Sequence, residues 1–291
     1  MKFHGIIPPA VTPMQANEDV DLPRLRETLQ RLLDAGVHAL FVLGTTGEFY
    51  ALDESEKQAV IAEAVALADK RVPVIAGTGA ETTREAVRLT KLAEREGADA
   101  AAVITPYFIS PTQAELADHF RRVAESTRLP VLLYSNPAMT AGVKPDVGTV
   151  ARLAEVSNVV GMKDSSGDLS TLIEFVRATP PGFAVFQGRD TLIEAALANG
   201  AAGAVPGTAN IAPKLAVAIY EAHRRGDVAA ARAAQAKFSP LRLAMVGTAP
   251  GTIKAAMNLA GVAVGPSRSP IAALTSEQRQ KVQAVLATIE R

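Results

Sequence analysis

Short apolar runs alternate along this chain with longer stretches in which apolar residues recur three or four positions apart. The runs fall at residues 5–8, 39–43, 72–76, 100–104, 131–134, 159–162, 183–186 and 203–205. They lack the strict alternation of a half-exposed strand, which suits strands covered on both faces. The helical patterns fall at 22–33, 54–68, 83–94, 113–126 and 169–179. Asp53 and Ser110, the latter followed by Pro111, are the expected helix starts. Strand–helix units repeated at this pace predict an α/β fold of the closed (β/α)8, or TIM-barrel, type. An open doubly wound sheet is the alternative; it would want a glycine fingerprint directly after an early strand, and the sequence has none there.

The strand signals stop near residue 206, and helical patterns follow at 213–224, 228–238, about 251–259 and 276–289. The first is expected to close the barrel. The rest predict a small C-terminal helical bundle, so the chain divides into a catalytic barrel, 1–224, and a bundle, 225–291. The alanine-rich run 229–234 supports helix there because alanine loses almost no side-chain entropy. Residues 265–270, Gly-Pro-Ser-Arg-Ser-Pro, read as an ordered turn before the last helix.

Composition narrows the chemistry. The 291 residues are 48% hydrophobic, enough for one large core. Thirty basic and thirty acidic side chains balance, and no basic block interleaved with aromatics marks a nucleic-acid surface. Partners are expected to be small molecules and further copies of the chain. With no cysteine, thiolate nucleophiles, disulfides, iron–sulfur clusters and thiolate zinc sites are excluded. His4, His38, His119 and His223 are dispersed without a ligand-like pair, so no metal is expected. No run approaches the roughly 20 apolar residues of a membrane span, and a cytoplasmic protein is expected.

Three stretches carry candidate chemistry. Lys163 ends the apolar run at 159–162, just before the small polar turn Asp164-Ser165-Ser166-Gly167. At the carboxyl end of a parallel strand it would sit where such barrels keep their active sites. Apolar neighbours would favour the neutral amine that attacks a carbonyl to form a Schiff base; a salt bridge or phosphate contact is the plainer reading. Gly44-Thr45-Thr46-Gly47-Glu48 follows the second strand, and its amides and hydroxyls suit a carboxylate. It could equally be a tight turn in which Glu48 caps a neighbouring helix. Tyr134 ends the fifth strand, where its phenol could relay a proton through Thr45 or Thr46, or simply sit at the rim.

These motifs, in this order, with Pro137 three residues after Tyr134 and with Asp164 and Gly167 after Lys163, resemble the dihydrodipicolinate synthase and N-acetylneuraminate lyase family of class I aldolase-like lyases. The resemblance spans nearly the whole chain. It implies that Lys163 forms an imine with a 2-oxo acid, that Tyr134 shuttles protons, and that Thr45 and Thr46 bind the substrate carboxylate and join the relay, Thr45 being the expected relay residue. Gly47, Glu48, Met139, Gly188, Arg189 and Val205 fall at expected substrate-binding positions. No cofactor is implied, and the expected assembly is a homotetramer of tight dimers, or a homodimer.

Two departures bear on the substrate. The family's synthases usually carry an arginine five residues after the tyrosine, for the carboxylate of their aldehyde substrate; this chain has Met139. Where they have a second aromatic hydroxyl reaching a neighbouring subunit, it has Phe108. The segments 135–140 and 205–210 therefore suggest a pocket for a neutral or hydroxylated tail, and Arg189-Asp190 either contacts a polyol or starts the next helix. The expected reaction is reversible aldol cleavage of a 2-keto-3-deoxy sugar acid or 4-hydroxy-2-oxo acid to pyruvate and an aldehyde. Dehydration of a sugar acid, dihydrodipicolinate synthesis, and a non-catalytic carbohydrate-acid binding protein are the alternatives.

Overall fold

A computed structural model describes residues 3–245 and 247–289. Among them, eight parallel strands run β1 (Gly5–Ile6), β2 (Leu40–Val42), β3 (Val74–Gly77), β4 (Ala100–Ile104), β5 (Val131–Ser135), β6 (Val159–Asp164), β7 (Ala184–Gln187) and β8 (Gly203–Ala204). From β2 to β8 each pairs with the next in sequence, and β1 pairs with β8. A parallel bridge between Pro9 and Phe41 joins the remaining edges, so the sheet curls into a (β/α)8 barrel. Every predicted strand is present, with bounds within two residues of those read from the sequence.

The reason the runs do not alternate is visible in the packing. Phe41, Ile75, Ala102, Leu132, Ala184 and Phe186 point inward and fill the barrel. Their chain neighbours Leu40, Val42, Val74, Val103, Leu133 and Val185 point outward beneath the helices. Both faces are dry, so both must be apolar.

The outer layer comprises α1 (Leu22–Asp34), α2 (Glu54–Ala68), α3 (Thr83–Arg95), α4 (Gln113–Glu125), α5 (Val147–Leu153), α6 (Leu169–Ala178), α7 (Ile193–Ala198) and α8 (Pro213–Arg224). Asp53 caps α2 in a reciprocal box with Glu56. The start of α4 differs from expectation: Thr112, not Ser110, is the cap. Its hydroxyl accepts from the Glu115 amide at 3.3 Å while the Glu115 carboxylate accepts from the Thr112 amide at 2.7 Å. The glutamate three residues on decides the position, and Pro111 merely precedes it. Helices α5 and α7 went unread because neither is long enough to display a periodicity.

Three further helices follow, α9 (Val228–Ala244), α10 (Ala249–Leu259) and α11 (Ser276–Ile289). Helix α9 passes through Pro240 instead of stopping at Phe238. Burial of Phe238 and Leu241 outweighs the proline's lost hydrogen bond. Ile6, Ile219, Tyr220, Phe238, Leu241 and Val282 share one apolar cluster, so packing is continuous across residue 224.

Helix α4 also buries His119, whose Nδ1 lies 2.9 Å from the Thr83 hydroxyl while Nε2 has no partner among the described residues. Burial, with Arg122 adding to it, pushes this imidazole down to about 4. The unfolded chain takes up the proton near the ordinary histidine value of about 6.5, the folded chain only near 4. Stability contributed by the neutral ring is therefore present above pH 6.5 and lost as pH falls between those values. Between pH 7 and 4.5 the protein should lose about 2–3 kcal/mol more than His119→Phe in urea unfolding. Equal losses in the two proteins would contradict this.

Candidate active site

Parallel pairing in register makes Tyr134 on β5, Lys163 on β6 and Phe186 on β7 lateral neighbours. Neighbours in register point to the same face, here the barrel interior. The Lys163 Nζ stands 4.1 Å from the centre of the Tyr134 ring and 5.4 Å from that of Phe41. This buried amine is thus walled by aromatic faces.

Tyr134 is linked in turn to the turn after β2. Its hydroxyl lies 3.1 Å from Thr45 Oγ1 and accepts a hydrogen bond from Asn136 Nδ2 at 3.1 Å. Burial alone would push the phenol up. The Lys163 charge and hydrogen bonds with Thr45, Lys163 and Asn136 outweigh burial, and hold the phenol below its ordinary range. A phenol so placed can give and recover a proton within reach of the amine. Of the two threonines, Thr45 makes the contact with Tyr134; Thr46 faces the cavity beside it.

The turn holding these threonines is built from behind. Residues Thr45–Gly47 form a single 3₁₀ turn, bracketed by Leu43 and Glu48 at φ of 58° and 56°. Those left-handed conformations cost free energy in non-glycine residues, so something must fix them. The fully buried Glu48 carboxylate pairs with Lys254 of α10 at 2.6 Å and accepts from the Arg268 amide at 2.9 Å. The Gly47 carbonyl accepts from the Thr12 hydroxyl at 2.7 Å. Gly47 and Glu48 therefore lie behind the cavity wall, not in its lining, and the Glu48 side chain makes no cap bond to the short 3₁₀ turn that it precedes. The signal for this pair is invisible locally, because its partner is far along the chain.

The cavity above Lys163 has a volume of about 150 Å³. Of the residues marked from sequence, Thr45, Thr46, Tyr134, Lys163, Met139, Gly188, Arg189 and Val205 all line it. A side chain at Gly188 would force the backbone to shift, since a Cβ there would sit 2.8 Å from the Asp164 carbonyl oxygen and 2.9 Å from Ser165 Cα. Asp190 lies beside it, accepting from the Thr208 amide and hydroxyl at 2.7 and 2.5 Å. Asn136, Ser165 and, from α9, Arg242 also line the cavity. Arg242 had no sequence signal, standing in a helix that reads as packing. A larger groove of about 910 Å³ between α1 and α8 shares none of these residues.

Away from the cavity, Phe108 is 92% exposed at a φ of 74°, while Tyr107 packs against Phe49. His4 and His38, far apart in sequence, meet with ring centres 5.3 Å apart beside Tyr220. Among the described residues no group of three or more His, Asp or Glu is placed to hold a metal ion, and no helix is long and apolar enough to cross a membrane.

Comparison with known proteins places this geometry. The profile of the Dihydrodipicolinate synthetase family matches residues 2–289. The chain belongs to that family. A 4-hydroxy-tetrahydrodipicolinate synthase of Methanopyrus kandleri is 41% identical over 273 residues, covering 93% of this chain and 91% of that protein. Among solved structures, a dihydrodipicolinate synthase of Bacillus anthracis superposes with a TM-score of 0.96 at 36% identity, over the full length of both chains. An E. coli K12 prophage protein of the dihydrodipicolinic acid synthase family, solved in complex with pyruvate, gives 0.95 at 33% identity, covering 99% of each chain. Like other members of the dihydrodipicolinate synthetase family, this protein is a lyase of the class I aldolase type.

Proposed function

We propose that the protein reversibly cleaves a 4-hydroxy-2-oxo acid to pyruvate and an aldehyde through an imine on Lys163. One observation carries the reading: an amine enclosed by aromatic faces, 4.1 Å from a tyrosine ring whose hydroxyl is tied to Thr45. The neutral amine adds to the C2 carbonyl, Tyr134 gives a proton to the departing hydroxyl, and loss of that water leaves a protonated imine. Tyr134, through Thr45, takes the proton of the C4 hydroxyl as the C3–C4 bond breaks; that electron pair becomes the C2–C3 double bond while the C2–N π pair moves onto nitrogen, giving an enamine. The aldehyde departs; Tyr134 returns a proton to C3, and water releases pyruvate from the lysine. Amides and hydroxyls of the Thr45–Gly47 turn suit the C1 carboxylate, held before and after bond cleavage.

The same imine stage serves the family's other reactions. Dihydrodipicolinate synthesis is the second reading, favoured by the 41% identity to a named synthase. Met139 weighs against it, because an apolar side chain at the cavity rim offers no bidentate contact to a carboxylate. The exposed Phe108, lacking a hydroxyl, suits an interface between copies, in keeping with the homotetramer or homodimer expected of the family.

Borohydride reduction with pyruvate and a panel of longer 2-oxo acids, followed by intact mass and product chromatography, tests the assignment. Expected are a pyruvate adduct and release of an aldehyde from a 4-hydroxy-2-oxo acid. Adducts with longer acids but no pyruvate release would replace cleavage by dehydration. Efficient condensation of pyruvate with aspartate semialdehyde would restore the synthase reading, and absence of any adduct would remove the imine altogether.

A further inference from the structure

Two guanidinium groups face the same cavity as Lys163, and neither meets a carboxylate among the described residues. Among the described residues Arg242, near the end of α9, makes only a long contact, 3.4 Å, to the Met245 carbonyl. Arg189, in the loop after β7, is fixed through its backbone, the amide donating to Gln187 Oε1 at 2.8 Å, while its side chain has no hydrogen-bond partner among the described residues. The space for that side chain is provided by Gly167, at a φ of 84°, where an added Cβ would stand 2.9 Å from Arg189 Nε. Both arginines are half-buried. A partly desolvated guanidinium without an anion forgoes the charge-assisted pairing that normally offsets the loss of its hydration.

The charge lining the cavity points the same way. Lys163, Arg189 and Arg242 bring basic side chains to its lining, while the carboxylate of Asp190 is already engaged by Thr208. In the imine complex, the charge on nitrogen is matched by the substrate's own C1 carboxylate at the Thr45–Gly47 turn. That leaves Arg189 and Arg242 for a second anion.

We infer that Arg189 and Arg242 bind an anionic group at the far end of the aldehyde-derived tail, so that the substrate is a 2-oxo acid ending in a carboxylate or phosphate rather than a neutral polyol. This rests on the aldolase reading above and replaces the neutral tail expected from Met139. The arginine missing at that position is answered from two other places in the fold. Guanidinium forks bind either anion in bidentate fashion, so both are carried into the test.

Condensation of pyruvate is measured with glyoxylate and succinate semialdehyde as carboxylate aldehydes, glyceraldehyde 3-phosphate as the phosphate, and glycolaldehyde and glyceraldehyde as neutral controls. The intact chain should favour one of the anionic classes over the neutral one by about tenfold or more in kcat/KM, and the preferred class names the terminal group. Arg189→Leu and Arg242→Leu should each reduce the anionic-to-neutral ratio by about tenfold, chiefly through KM, with partial recovery in Arg189→Lys and Arg242→Lys. Borohydride trapping of pyruvate is recorded for every protein. No adduct in the unmodified protein would overturn the aldolase reading and this inference with it. A normal adduct with a neutral aldehyde preferred, or with a ratio unmoved in both leucine variants, would overturn this inference alone.

Discussion

Lys163→Ala is expected to form no reducible adduct with pyruvate and to lose roughly 10⁴-fold or more in turnover, the scale seen when a covalent nucleophile is removed. The variant should still fold. Lys163 has no carboxylate partner among the described residues; its near neighbours are the Tyr134 and Phe41 rings, which remain packed on the barrel core. Thermal unfolding should therefore move by no more than about 1 kcal/mol equivalent, as for removal of a group that anchors little. Intact-protein mass after borohydride treatment reads the first effect, and circular dichroism the second. Lys254 supplies an internal control, being the other buried lysine among the described residues and already paired with Glu48. An adduct persisting in Lys163→Ala would mean that chemistry had been assigned to the wrong amine.

Lys254→Met should cost about 3–5 kcal/mol, because it leaves the fully buried Glu48 carboxylate without its counter-charge. Glu48→Gln alone should be costly for the converse reason. The double variant should recover most of the loss, since a buried pair replaced together is often close to neutral. Activity should fall in the single variants too, as the turn presenting Thr45 to Tyr134 loses its brace. Urea unfolding of the four proteins in a double-mutant cycle measures the coupling. A loss below about 1 kcal/mol in both single variants would show that the turn is held by the Thr12 and Arg268 hydrogen bonds instead.

The barrel was legible because its strands are apolar on both faces and its longer helices show an uninterrupted period. What escaped was set by short range or by long range. Helices α5 and α7 are too brief to show a repeat, and Thr112 displaced Ser110 only through a glutamate three residues away. The helical pattern at 228–238 ends before Pro240, yet tertiary packing of Phe238 and Leu241 carries α9 past it.

The candidate site divides in the same manner. Lys163, Tyr134 and Thr45 each stand at or just past a strand end, so barrel topology was enough to gather them. Glu48 was misread as a pocket residue because nothing near it in sequence names Lys254 as its partner. Arg242 carried no mark at all in an alanine-rich helix. Its place in the cavity follows from how that helix lies over the barrel mouth.

The route of α9 through Pro240 carries a consequence for how this enzyme can diverge. Residues 242, 245, 249 and 253 bring the roof of the cavity from a part of the chain that contributes no strand. Bond-making groups and roof are thus inherited on separate stretches of sequence. Drift in the roof can change which molecules are admitted while the amine and phenol below it stay in register, so descendants of one ancestor can exchange diets without relearning their chemistry.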